Sequence, residues 1–536
     1  MINQYDSTKG IGDFSSSVST PSRILSFFGR LNYNLMERYL LTVTFRADGS
    51  SKFAPSNRWG YFPAAALGWR MSEEAFLNDV NWLDNLKLRA SYGEVGNDGI
   101  NSSLWAQNWE ATSDKRYQGA VNGAFLPSYS LAADMANKNL KWETTVTRNI
   151  GIDFGFFNSR LTGTIDAYWN TTKDLLMKTA IPGITGFTTT YANVGQTSNK
   201  GVEIALQGEL VKNRDWNVTA GFNINFNRGK VDKLADNVTG LYGTEWASSS
   251  TFPKSDYVLK EGRPVGLVRG LTADGFYTTD DFTYENGVYT LKKGVPDVTS
   301  AVFPNYHLHS GMNERPAGQL AYPGMAKFKD LNDDGFINDD DVDVIGDMTP
   351  IHTGGFNINA TYKNFDLGLY FNWSYGNEIY NVNKLAALYG YKEGAVYENK
   401  LSIVKDCYKI YDVVNGELVA LTTPEQLNAA NANAKLPLAY SENGYVSTLG
   451  IEDGSYLRLN TLTLGYTLPK SMLQKAGISN LRVYGSIYNV FTITGYSGID
   501  AEVSTSTSTK TYPQLGMDWG TYPRARSFVL GVNLSF

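Results

Sequence analysis

Residues 216–227 read Trp-Asn-Val-Thr-Ala-Gly-Phe-Asn-Ile-Asn-Phe-Asn, and their alternation decides the fold. Successive side chains of a strand point to opposite faces, so Trp216, Val218, Ala220, Phe222, Ile224 and Phe226 share one side. Asn217, Thr219, Gly221, Asn223, Asn225 and Asn227 share the other. An apolar face suits a core or a membrane equally well. A facing row with four asparagines belongs beside water. Hydrocarbon on one side and a wet lumen on the other accounts for both rows.

The pattern extends outward from this stretch. Phe356, Ile358, Ala360 and Tyr362 alternate with Gly355, Asn357, Asn359 and Thr361. After Lys363-Asn364, Phe365, Leu367, Leu369, Phe371 and Trp373 alternate with Asp366, Gly368, Tyr370, Asn372 and Ser374. The final residues place Phe528, Leu530, Val532, Leu534 and Phe536 on one side. Period-two runs predict strands at 23–34, 39–48, 60–71, 85–96, 140–156, 161–176, 200–211, 216–231, 351–362, 365–380, 455–468, 481–493 and 526–536. The joins at 35–38, 157–160, 212–215 and 363–364 are tight, and 72–84 and 469–480 share their side. The joins at 97–139, 177–199, 232–350, 381–454 and 494–525 are long, and 49–59 goes with them. Strands of about ten residues, with short turns opposite long loops, predict an all-β, antiparallel transmembrane β-barrel with long extracellular loops. A soluble sandwich, whose strands also alternate, is the competing architecture.

Bulk properties exclude other classes. The chain has 536 residues, 42% of them hydrophobic, with a mean hydropathy of -0.29. It contains no apolar run of about 18 residues, so transmembrane helices are excluded. The start, MINQYDSTKGIGDF, has neither a basic segment nor an apolar core and does not read as a signal peptide. Aromatics at 13%, 52 glycines and only 19% charged residues suit strands whose outer surface avoids water. Cys407 stands alone, which rules out an internal disulfide framework. A net charge of -6 disfavours a nucleic-acid partner. No nucleophile–base set sits on a recognisable scaffold, so no enzyme activity is expected.

The stretches FRADGSSKFAPSNRWGYFPAAALGWRMSEEAFL at 45–77, WLDNLKLRASYGEVGN at 82–97 and NIGIDFGFFNSRLTGTIDAYWNTTKDLL at 149–176 carry a resemblance. YANVGQTSNKGVEIAL at 191–206, DLNDDGFINDDD at 330–341, SYLRLNTLTLGYTLP at 455–469 and DWGTYPRARSFVLGVNLSF at 518–536 continue it in order along nearly the whole chain. Together they resemble the C-terminal barrel of SusC-like (RagA-like) TonB-dependent transporters. The resemblance implies an outer-membrane location in a Gram-negative, Bacteroidetes-type bacterium and a lumen closed by a plug. It also implies a SusD-like surface lipoprotein as partner, TonB as energy source, and oligosaccharides or peptides as cargo. A terminal strand ending on Phe536 fits such barrels.

About thirteen strands is an odd count where single-chain bacterial barrels have an even one. With Phe536 in the periplasm, counting back places 1–22 in an extracellular loop. The expectation is therefore a partial barrel, about 13 of 22 strands over 23–536, with plug, TonB box and signal peptide absent. Two other functions compete with energised import. One is a passive porin or adhesin. The other is a soluble all-β carbohydrate-binding protein or glycosidase.

The most specific local motif runs from Asp330 to Asp341. Asp330, Asn332, Asp334, Phe336, Asn338 and Asp341 occupy the ligand positions of an EF-hand-type loop, with Gly335 at its turn. Hard oxygens at this spacing suit Ca²⁺, Phe336 contributing its carbonyl. Asp341 stands where a longer Glu is usual, and an acidic solvated turn is the plainer reading. His307 and His309 offer a weak transition-metal pair. Trp105, Trp109, Trp246, Tyr389 and Tyr391 lie in long loops, where they could stack on sugar rings or peptide side chains, or simply pack the loops. Trp59, Tyr61, Trp69, Trp169, Trp373 and Tyr375, near strand ends, are expected in interfacial girdles.

Overall fold

Each alternating run forms a long strand. They are β1 Ile24–Leu35, β2 Tyr39–Ser50, β3 Trp59–Arg70, β4 Leu83–Asn97, β5 Glu143–Phe156 and β6 Leu161–Lys173. They continue with β7 Gln196–Lys212, β8 Trp216–Lys233, β9 His352–Tyr362, β10 Phe365–Tyr375, β11 Tyr456–Thr467, β12 Asn480–Thr494 and β13 Ser527–Ser535. All belong to one 13-stranded sheet whose order is that of the chain. The computed structural model describes residues 2–5, 14–16, 22–112, 120–121, 124–125, 128–235, 238–303, 315–389, 401–439, 444–473, 477–505 and 514–536.

By contacts the chain divides into two compact units, Met1–Val202 with Val231–Val238, and Glu203–Lys230 with Thr239–Phe536. In the first, β1 to β6 pair antiparallel, with tight turns of three residues at 36–38 and four at 157–160, where Met36, Glu37, Phe157, Asn158 and Ser159 take positive φ. A satellite core of Phe53, Phe62, Ile100, Leu140 and Trp142 fills the long-connection end. Leu140 and Trp142 are drawn into it, so β5 begins at Glu143 rather than at 140.

In the second unit the register preserves the two faces of each strand. Phe222 lies opposite Phe356, Ala220 opposite Ile358 and Trp216 opposite Tyr362, while Asn217 meets Thr361 and Thr219 meets Asn359. A slip of one residue would invert both faces, so matched rows lock the register. The run at 365–380 stops at Tyr375. Gly376 takes φ +77 there, and Glu378–Asn381 leaves the ladder for a small sheet with Ile451–Asp453 and Met517–Asp518.

The main core does not lie on the sheet. It lies in the long connections, where Tyr257, Tyr277, Tyr289, Tyr322, Phe328, Leu271 and Ile337 are nearly or completely inaccessible. On the sheet, by contrast, Leu67 is 59% exposed, Leu464 53% and Leu530 88%. A sandwich would bury that face, so the soluble all-β alternative fails on the very residues that suggested strands.

Candidate functional site

The polar face of β8 to β12 forms one wall of the candidate passage. Tyr370 donates its hydroxyl to Asn359 at 3.0 Å, and the Asn359 amide donates to Asn357 at 3.0 Å. Asn217, Thr219, Asn359, Thr361, Tyr370 and Arg482 line a recess of about 270 Å³. Charge on this face is compensated in place. The Arg482 guanidinium grips Asp366 through two bonds of 2.8 and 2.5 Å. Gly465 lies beneath that bridge, and a Cβ there would stand 2.6 Å from Arg482 Nε. In the first unit Arg89 donates to Asp153 and Asp166, each at 2.9 Å. Amides, hydroxyls and internally paired charges suit a hydrated path for neutral polar solutes better than a trap for ions.

The opposite face carries the girdles. At the tight-turn end of the second unit Trp216 packs on Tyr362, ring centroids 4.4 Å apart, and Phe365 on Tyr466 at 4.7 Å. At the long-connection end His352 stacks on Tyr375, and nearer the middle of the strands Phe222 stacks on Trp373. Trp59, Tyr61, Trp169 and Tyr375 are exposed and Trp69 and Trp373 half-buried, as a lipid-facing belt requires. The tight-turn partners in the second unit escape a search restricted to isolated aromatics, since only their cross-strand register pairs them.

The long connections are tied down by carboxylates accepting backbone N–H groups. Asp256 accepts from Glu245, Trp246 and Ala247 at 2.9, 2.9 and 3.0 Å, and Asp297 from Leu320 and Ala321. Nothing in local sequence marks these brackets, because their partners lie as far as 24 residues away. Trp246 itself packs against the loop core, edge-on to Tyr380, and serves the fold there. Trp109 is 66% exposed and Trp105 half-buried. Tyr389 ends the helix Val382–Tyr389, with its side chain outside the described residues; Tyr391, His307 and His309 lie outside them altogether.

The loop from Asp330 to Asp341 folds back on its own carboxylates. Asp330 accepts from Gly335 N–H at 2.7 Å and from Asp334 N–H at 3.3 Å. Asp341, fully buried, accepts from Leu331 and Asn338 N–H at 2.7 and 2.8 Å. The Phe336 N–H and the Asn332 amide hold the Asp334 carboxyl below the usual carboxylate range. Asn332 and Asn338 both donate from their amide nitrogens to the Asp334 carboxylate, while the Asn332 amide oxygen accepts from Asp334 N–H at 3.2 Å. Among the described residues no three His, Cys, Asp or Glu side chains converge on a common point. The donor set is hard oxygen, which fits calcium, and the loop as folded satisfies its own carboxylates first.

A sheet with an apolar, exposed face and a polar, hydrated one, girdled at both ends, is the wall of an outer-membrane β-barrel. The chain belongs to the TonB-dependent receptor-like β-barrel family, whose model matches residues 2–382. It is similar to TonB-dependent receptor P3 of Formosa agariphila, 32% identical over 97% of this chain and 46% of that one. It is similar also to TonB-dependent receptor SusC of Bacteroides thetaiotaomicron, 30% identical over 97% of this chain and 44% of that one. The solved RagAB peptide importer in its closed-closed state matches 96% of this chain and 48% of its own, at 25% identity and a TM-score of 0.71. The chain thus spans about half the length of the curated relatives it matches. Proteins of this family are outer-membrane transporters, not enzymes.

Proposed function

We propose that the protein containing this chain imports oligosaccharides or peptides across the outer membrane, powered by TonB and assisted by a SusD-like surface lipoprotein. The observation that carries this reading is the pairing of a neutral polar inner wall with a large, separately cored assembly in the long connections. The wall suits hydrated cargo. The connections, placed outside the cell, offer a surface for a capturing partner. The relatives support both cargo classes, since SusC and the RagAB peptide importer match over nearly all of this chain. The test is uptake of defined oligosaccharides and peptides by cells with and without the gene, with and without a functional TonB. TonB-independent uptake would favour a passive porin, and unchanged uptake of every cargo would overturn import. Affinity capture from outer membranes tests the lipoprotein.

A calcium ion in the loop from Asp330 to Asp341 belongs to the same proposal. Asp330, Asp334 and Asp341 have no ion-pair partner among the described residues, which leaves three negative charges close in sequence for a hard cation. Binding is expected in the range of extracellular modules, about 10⁻⁴–10⁻³ M. Calcium titration of the wild type and of Asp334→Asn, followed by protease resistance of this loop, decides it. Identical resistance with calcium and with chelator would leave only an acidic turn.

A further inference from the structure

β13 ends its pairing with β12 at Ser527 opposite Tyr488. Beyond that point β12 continues to Thr494 with β11 as its ladder partner among the described residues. Along its other side run the segments 499–501 and 523–526, and a cavity of about 230 Å³ opens between them. Two arginines and two carboxylates at this cavity cancel. Arg458, almost wholly buried, holds Asp500 at 2.5 Å and Glu502 at 2.8 Å, and Arg524 holds the same pair at 3.1 and 2.9 Å.

Arg526 is left over. It is exposed, donates from Nε to the Asn489 carbonyl at 3.3 Å, and has no carboxylate partner among the described residues. The cluster therefore carries one net positive charge. Arg526 immediately precedes β13, one face of which carries Phe528, Leu530, Val532 and Leu534, between 44% and 88% exposed. Ile499, 66% exposed, and Phe491 supply apolar surface at the cavity itself. A guanidinium above a continuous hydrocarbon-facing row is matched by a ligand with an anionic head and an acyl tail.

We propose that this cavity binds the phosphorylated headgroup of an outer-leaflet glycolipid, with phosphate on Arg526 and an acyl chain along Phe528 and Leu530. Its anchor, Arg526, is none of the residues that line the recess on the polar wall, so the proposal goes beyond the import reading and stands or falls apart from it. The test is native mass spectrometry of the whole receptor, purified from outer membranes and checked for folding by heat-modifiability. It is exchanged into bis-phosphorylated lipid A or the dephosphorylated form. Retention of the bis-phosphorylated lipid is expected in the wild type and in Arg526→Lys, falling on the order of five-fold in Arg526→Gln, the effect of removing one cation beside an anionic headgroup. Lys212→Gln, at the opposite end of the wall and paired with Glu209, should change nothing. Equal retention by Arg526→Gln, or of the dephosphorylated lipid, would overturn the proposal. Displacement of lipid by millimolar inorganic phosphate would also overturn it, by reducing the site to one for a free anion.

Discussion

Gly354 and Gly465 look alike in sequence, each on an alternating strand, yet a methyl group would meet different things at the two. At Gly465 it would meet only the ends of Asp366 and Arg482, which can swing aside. The bridge they form is partly exposed, so its loss costs about 1 kcal/mol or less. At Gly354 the methyl would collide with both the Trp373 ring and the backbone carbonyl of Asn223. Backbone cannot swing aside, so overpacking there costs about 1–3 kcal/mol. Gly354→Ala is thus expected to lower the thermal midpoint more than Gly465→Ala, and the reverse order would refute the packing assigned to Trp373. Glu378, off the wall in its small sheet, gives a pH-dependent case. Burial, together with Asp347 and Asp453, holds its carboxyl above the ordinary range despite the bond from Asp347 N–H. A carboxyl raised in the folded state contributes stability below its unfolded pKa and loses it as pH rises through the folded value. At neutral pH the charge is therefore a burden. Glu378→Gln, which can still accept from Asp347, should raise the melting temperature at pH 7.5 and lose that advantage near pH 4; a lowered melting temperature at pH 7.5 would contradict the assignment.

At the scale of one strand, β8 separates lipid from lumen most clearly. Phe222 stacks on Trp373 on the apolar face, while Asn223 faces Gly355 on the polar one. Arginine at a lipid-facing mid-membrane position costs about 2–4 kcal/mol, whereas the lumen side is wet and Gly355 leaves room. Phe222→Arg should therefore impair assembly far more than Asn223→Arg, read as the heat-modifiable band in outer membranes. Equal bands would reverse or erase the two faces. The strands were legible because hydrophobic period two is written locally: β9 and β12 start and end within one residue of the runs that predict them. Where the reading slipped, a distant partner was responsible. Trp142 was claimed by Phe53 and Phe62, and the tail of the 365–380 run by Ile451–Asp453. Trp246 shows the same limit, since its edge-on contact with Tyr380 joins residues far apart in the chain. The calcium spacing was legible residue by residue, yet which atoms the amides of Asn332 and Asn338 present was not.

Across the second unit, two kinds of stability coexist. The wall strands are held by ladders and by what surrounds their apolar face. The long connections are held by their own buried core and by carboxylate brackets that reach across sequence. If these are separable, a change in a bracket should loosen the connections and spare the wall. Asp256 is the place to ask. It is fully buried and accepts from three backbone N–H groups, those of Glu245, Trp246 and Ala247. Asp256→Ala strands these donors, at about 1–3 kcal/mol for each that stays buried without an acceptor. Asp256→Asn keeps one oxygen and presents an amide N–H₂ in place of the other, so an intermediate effect is expected. Limited proteolysis should then cut within 232–350 in the alanine variant while heat-modifiability of the wall persists. If the connections form the docking surface proposed above, capture of the lipoprotein should fail in the same variant. Loss of wall and connections together would show a single cooperative structure, and an uncut Asp256→Ala chain would remove the bracket from any account of how the connections are held.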